Sequence, residues 1–401
     1  MLEKARALFE LGLCDRCVGR FFSEWEHGID NPERGRKLRE MLAENGINFE
    51  KKDSCELCGD VFSNIEEKAR WVMDALNGIE FNTFLIGSRF DSETLEKEEK
   101  IREDLGLSGE TIKVEFNREL GKAVEKLSGK RFSRERPDVE ILYDTRYDHI
   151  KVQINPVFIY GRYRKLIRGI PQTRWPCRYC HGKGCEKCNF TGKMYPESVE
   201  ELIAHEFMEE LKGKEHAFHG MGREDIDARM LGNGRPFVLE IKEPLKRSFD
   251  PTEMERRVNE FAKGKVEVTE LRESSKEEVR RIKASRSEKT YVVKVLFDSE
   301  VDEEKLKKAL KMLEGEIEQR TPRRVAHRRA DKVRKRRALS VRLIELSGKR
   351  ALIEVRGEAG LYIKELMHGD EGRTHPSLAE VLGVSCKVES LDVVEIHAKE
   401  E

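Results

Sequence analysis

At 401 residues the chain is long enough for two or three domains with a sizeable core, and with 38% hydrophobic and 38% charged residues it holds no uncharged apolar run of membrane-spanning length. Together with an N-terminus, Met1-Leu2-Glu3-Lys4-Ala5-Arg6, that lacks a signal-peptide pattern, this predicts a cytoplasmic protein. Lysine and arginine number 77, as do aspartate and glutamate, so a nucleic-acid surface has to arise from segregated charge. Such segregation is visible in Arg320 to Arg337, where ten basic residues face the single acid Asp331, and in the mostly acidic stretch Asp91 to Asp104.

Residues 2 to 13 have the apolar spacing of a short helix that ends at Gly12. Eight of the nine cysteines then fall in four Cys-x-x-Cys pairs, a pattern that in a reducing compartment means metal binding rather than disulfides. Cys14, Cys17, Cys55 and Cys58 are two such pairs separated by 37 residues, enough for a helix over Glu33 to Glu44 to return the chain. Four thiolates predict a closed, structural zinc site. A helix near Ile65 to Leu76, a strand at Thr83 to Gly87, an acidic helix and a helix at Glu119 to Leu127 follow. Strands are expected at Asp138 to Tyr143 and Val152 to Tyr160. The mixture of Arg162, Tyr163, Arg164, Lys165 and Arg168 suits phosphate contact and base stacking, and equally suits a solvated strand end. This order of helix, paired strands and basic close resembles a THUMP domain, an RNA-binding module.

Ile170-Pro171-Gln172 marks the expected boundary between domains at 1–170 and 171–401. Beyond it Cys177, Cys180, Cys185 and Cys188 form two knuckles whose glycines permit a tight turn, which predicts a second four-thiolate zinc; His181 is a substitute ligand that the spacing does not require. Ser198-Val199-Glu200-Glu201 reads as a capping box opening a helix toward Leu211.

Gly222-Arg223-Glu224-Asp225-Ile226-Asp227, continuing to Gly232-Asn233-Gly234-Arg235-Pro236-Phe237, crowds acids and arginines into a stretch whose glycines and proline forbid a regular helix. It is expected to be a loop leading into a strand at Phe237 to Ile241. Arginine suits phosphate, and an aspartate beside arginine stays ionised and can act as a nucleophile, whereas composition alone equally describes a solvated turn. The remainder alternates strands (Val266 to Leu271, Thr290 to Phe297, Ala338 to Leu346, Arg350 to Val355, Val388 to Ile396) with helices at Glu303 to Leu313 and from Tyr362. The class is α+β: a zinc-containing THUMP-like part, then a mixed, largely antiparallel sheet flanked by helices. No Rossmann or Walker glycine fingerprint follows a strand, which disfavours nucleotide-dependent transfer.

Gly222-Arg223-Glu224-Asp225, extended through Leu231-Gly232-Asn233-Gly234-Arg235-Pro236-Phe237, resembles the catalytic-aspartate motif of the archaeal and eukaryotic THUMP-bearing family that makes pseudouridine at tRNA positions 54 and 55. The resemblance implies Asp225 as the nucleophile, with Asp227 as its rival, and Tyr291 of Lys289-Thr290-Tyr291 stacked on the target uracil. It implies Lys364 of Leu361-Tyr362-Ile363-Lys364 as the cation beside the aspartate; Leu361 stands where the family usually has a small residue. Arg223 is expected on the flipped nucleotide's phosphate, Arg323, Arg324, Arg328 and Arg329 on the RNA backbone, and Tyr362 and Leu391 near the base, although core packing explains Leu391 equally well. The partner implied is the TΨC arm of tRNA, with two structural zinc ions, no organic cofactor, no membrane and no obligatory protein partner.

Overall fold

The computed structural model describes residues 1–50 and 54–398, with the backbone alone for Arg328. The chain forms two units, one of Met1–Pro156 with Glu243–Arg247, the other of Val157–Lys242 with the chain from Ser248 onward.

Among the described residues the first unit has six helices, α1 (Leu2–Glu10), α2 (Asp15–Phe21), α3 (Asn31–Glu44), α4 (Ile65–Ala75), α5 (Ser92–Leu105) and α6 (Ile112–Ser128). Its four-stranded sheet comprises β1 (Thr83–Arg89), β2 (Arg131–Phe132), β3 (Val139–Asp144) and β4 (His149–Ile154) in the order β2-β1-β3-β4. The last helix starts well before the expected Glu119 because the Thr111 hydroxyl accepts the Val114 N–H at 3.3 Å, an N-cap. Ile112, Phe116, Leu120 and Val124 then recur on one buried face.

The domain division falls at Pro156 rather than at 170, and a strand expected to be continuous explains it. Pro156 has no N–H for a ladder bond, so Val152 to Tyr160 is cut between β4 and a new strand, β5 (Val157–Lys165), that belongs to the second unit.

In the second unit the strands are β5, β6 (Glu215–Gly220), β7 (Arg229–Lys242), β8 (Val266–Ser274), β9 (Glu288–Phe297), β10 (Gly315–Arg320), β11 (Val333–Ser347), β12 (Arg350–Gly357), β13 (Thr374–His375) and β14 (Cys386–His397). They run in the order β13-β10-β11-β12-β9-β14-β7-β5-β8, with β6 also on β7. Every pairing is antiparallel except β7 with β14, so the sheet is mixed and largely antiparallel as expected. Helices α7 (Val199–Leu211), α8 (Pro251–Phe261) and α9 (Lys276–Ala284) supply one apolar core, and α10 (Glu303–Met312), α11 (Ile363–His368) and α12 (Leu378–Leu382) a second. Tyr291 on β9 packs against both cores.

The glycine-rich stretch after Ala228 is strand, not loop: β7 begins at Arg229, eight residues before Phe237. Glycine makes this continuation geometrically possible. Gly232 has φ +58°, and a β-carbon there would lie 1.6 Å from the Val394 carbonyl oxygen on β14. Gly232→Ala should therefore lose about 3 kcal/mol or more of unfolding free energy, read by urea denaturation, through backbone displacement at the parallel pair.

Candidate active site

The segment Gly222 to Ala228 joins β6 to β7, and its position is set from inside the protein. Glu224 is buried, and its carboxylate accepts from Tyr163 Oη at 2.7 Å and Arg235 Nε at 3.0 Å, with Lys165 Nζ 3.7 Å away. Arg235 also donates to the Met221 carbonyl at 2.8 Å, and Lys165 to the carbonyls of Ile170 and Asp225, both at 3.1 Å. Gln172 donates to Tyr163 Oη at 2.8 Å and to the Gly222 carbonyl at 3.0 Å. Burial lowers the pKa of the Lys165 amine and Glu224 opposes that shift.

With Glu224 anchored inward, the next side chain, Asp225, faces a 300 Å³ cavity lined also by Lys289, Tyr291, Tyr362 and Leu391. Its Oδ2 accepts from Arg324 Nη1 at 2.8 Å and lies 3.5 Å from Lys364 Nζ. Arg324 is aimed by the buried Glu365, which accepts from its Nε at 2.7 Å. Lys364 makes its shorter bonds, 2.8 and 2.7 Å, to the two oxygens of Asp227. Asp227 lines an adjoining 260 Å³ recess with Asp225, Arg223 and Trp175. The side chain of Asp227 is 69% exposed against 28% for Asp225, so the two carboxylates occupy different surroundings.

Tyr291 pairs in register with Val355 and Val393 on its two neighbouring strands. Burial first, and the Asp225 charge after it, push its hydroxyl up to about 12 against the opposing effect of Arg235, so the phenol is protonated at neutral pH. Leu391 is buried on β14. Tyr362 caps α11; Gln319 bonds both its N–H and its carbonyl, at 2.8 and 2.9 Å, and Arg329 donates to its hydroxyl at 2.7 Å.

The sequence expectations sort into residues brought together and residues placed elsewhere. Asp225, Tyr291, Lys364, Arg223, Arg329, Tyr362 and Leu391 converge on one cavity. Arg324, expected on RNA, is held between Asp225 and Glu365, because a guanidinium offers donors in two directions and two carboxylates stand there. Arg323 is exposed and pairs with Glu371, while the Arg328 side chain lies outside the described residues. Tyr163 and Lys165, read as part of an RNA-facing cluster, are both fully buried around Glu224, and Arg162 is buried against the carbonyls of Asn233 and Gly234. Glu224, Arg235, Gln172 and Glu365 were not singled out from sequence. The available signal was charge within apolar strand patterns at Lys165 and Arg235.

Among the described residues two clusters could hold a metal ion: Cys14, Cys17, Cys55 and Cys58 in the first unit, and Cys177, Cys180, Cys185 and Cys188 in the second. Tetrahedral metal bonds of about 2.3 Å require sulfur–sulfur edges of about 3.8 Å. The edges found are 3.9 and 3.7 Å in the first cluster and 4.0, 3.9 and 3.7 Å in the second. Backbone N–H groups of Gly184, Cys185 and Gly192 point at sulfurs from 3.2 to 3.3 Å, as thiolates require. The donor sets fit.

Replacing Glu224 with alanine would leave Arg235 and Lys165 buried beside each other without their carboxylate. The expected cost is about 3–5 kcal/mol, measured by chemical denaturation, which exceeds the expected cost of truncating an exposed acid such as Glu215.

Comparison with known proteins agrees with the two-part organisation. A family model described as Pus10, C-terminal, matches residues 158–397, and one described as Pus10 THUMP domain, archaeal, matches residues 69–144. A relative from Archaeoglobus fulgidus, named tRNA pseudouridine synthase Pus10, is 48% identical over 86% of this chain and 95% of its own. Relatives of the same name from Pyrococcus furiosus and Methanopyrus kandleri are each 43% identical, over 99% and 98% of this chain and 98% of their own lengths. With a matched C-terminal region that starts at β5, where the second unit starts, and relatives aligned nearly end to end, the chain belongs to the Pus10 family of tRNA pseudouridine synthases.

Proposed function

We propose that this isomerase converts uridine to pseudouridine at position 54, position 55 or both in the TΨC arm of tRNA, with Asp225 as the nucleophile. The observation that carries the reading is the sharing of one cavity by Asp225 and Tyr291, with Arg324 bonded to the carboxylate and Asp227 outside that cavity.

The reaction breaks the N1–C1′ bond, turns the uracil and joins C5 to C1′, with no net redox change and no group donor. A stacked base is out of reach, so the target nucleotide has to leave the helix and enter the cavity. There the Asp225 carboxylate attacks C1′ or uracil C6, and the Tyr291 ring holds the detached base by stacking while its protonated hydroxyl remains a hydrogen-bond donor. Arg324 and Lys364 stand beside Asp225 Oδ2 and orient the carboxylate as substrate displaces water. We assign the flipped nucleotide's phosphate to Arg223, which lines both the cavity and the recess, and the RNA backbone to Arg329, at the cavity, and to the exposed Arg323.

Zinc is the ion we assign to both cysteine clusters, since a redox-inert tetrahedral cation with four thiolates gives a closed, structural site. When bound, it supplies cross-linking of the chain and no chemistry at Asp225. Freshly purified protein should contain two zinc ions per chain that resist mild chelation; metal analysis finding fewer than two removes at least one assignment.

Unmodified tRNA transcript incubated with the protein and no added cofactor should gain pseudouridine in the TΨC arm. Transcripts carrying cytidine at 54 or at 55 separate the two positions. Pseudouridine elsewhere only, or a requirement for a nucleotide cofactor, would overturn the reading.

A further inference from the structure

Lys289 stands two residues before Tyr291 on β9, and side chains two apart on a strand project from the same face, so both line the cavity of Asp225. The lysine stem lies against the loop: a β-carbon on Gly222 would be 3.8 Å from Lys289 Cε. The amine donates to the Ser287 carbonyl at 2.9 Å and, among the described residues, has no ion-pair partner. The charged and titratable groups lining the cavity with it are Arg235 on β7, Arg223, Glu224 and Asp225 on the loop, Arg324 and Arg329 after β10, Tyr362 and Lys364 at α11, and Tyr291. Glu224 is committed to Arg235, and Asp225 to Arg324. Burial, with Arg235 adding to it, brings the Lys289 amine down to about 8. Lys364, the other amine lining the cavity, is bonded to both oxygens of Asp227, which leaves Lys289 as the lining amine not tied to a carboxylate and suited to act as a neutral base. Arginine does not deprotonate, and Tyr291 already holds its proton.

We propose that Lys289 is the base that removes the C5 proton late in the isomerisation, an inference that rests on the placement of the uracil against Tyr291 given above. Once C5 is bonded to C1′, that carbon carries both the sugar and its hydrogen. The neutral amine takes the hydrogen as a proton, and the C5–H electron pair becomes the C5=C6 double bond. The former C6=N1 pair moves onto N1, which accepts a proton from the new ammonium or from water. Atoms and electrons balance, and no co-reactant is consumed.

The test is single-turnover kinetics with saturating enzyme and tRNA transcripts bearing uridine or 5-deuterouridine. Lys289→Met should slow pseudouridine formation by about 10²–10⁴-fold, the range for a lost general base. Deuterium should slow that variant severalfold further, because C5–H cleavage has become limiting. Added ethylamine should restore part of the rate to Lys289→Ala and none to Asp225→Asn. A Lys289→Met enzyme as fast as the wild type, or one slowed equally on both transcripts with no amine rescue of Lys289→Ala, would overturn the proposal. Should the variants fail to fold, the wild type decides: a deuterium effect small at high pH should grow, and the rate fall, as acid protonates the amine and C5–H cleavage becomes limiting, and a rate and deuterium effect both unchanged by pH refute the role. An active Asp225→Asn enzyme would instead sink the reading on which this inference rests.

Discussion

The buried contact between Glu224 and Arg235, closed by Lys165, Tyr163 and Gln172, is the constraint on which the rest of the site depends. Burying such charges costs several kcal/mol per ion, and their mutual attraction offsets this only when the geometry is good and the remaining donors are satisfied. Here those donors end on loop carbonyls, at Met221, Gly222 and Asp225. The desolvation cost therefore coincides with a fixed backbone path for Gly222 to Ala228. Because the network uses side chains from β5 and β7, neighbours in the sheet, it couples loop position to strand register.

Around this fixed layer lies a second one made of bonds that are easier to exchange. Arg324 is shared between a buried carboxylate, Glu365, and the half-accessible Asp225. Lys364 bridges Asp225 and the exposed Asp227. Ion pairs with a solvent-facing member contribute about 0–1 kcal/mol and are screened by salt. The outer pairs can rearrange around an incoming polyanion while the inner network keeps the Asp225 backbone in place. Such a division suits a site that admits a nucleotide carrying its own charge.

Much of the cavity was legible because residues that converge on it sit in compact linear motifs: Asp225 in Gly-Arg-x-Asp, Tyr291 after Lys289-Thr290, Lys364 after Tyr362-Ile363. The cysteine pairs were legible for the same reason, and the structure brings each set within ligating distance. What supports those residues was not legible. Glu224 looks like a surface residue in a polar stretch, and only tertiary pairing shows that it faces inward, whereas the signal at Arg235, a charge in an inward strand position, is visible only once the strand is known to start before Phe237. Tyr163 and Lys165 were misjudged because a basic, aromatic strand end has the same composition whether it faces RNA or a buried carboxylate. The path of β7 was obscured by glycines that usually punctuate turns but here allow close approach to β14. The helix α9 was missed because nine residues rich in Lys, Glu and Arg carry only Val279 and Ile282 as buried apolar markers.

The central claim is that the inner network selects Asp225 over Asp227 as the reacting carboxylate. Single-turnover rates of pseudouridine formation on one tRNA transcript, measured for Asp225→Asn and Asp227→Asn beside the wild type, test it most directly. The account predicts no detectable product from Asp225→Asn with tRNA affinity within a few fold of wild type, and a slowed but active Asp227→Asn enzyme. An active Asp225→Asn enzyme together with an inactive Asp227→Asn enzyme would contradict it.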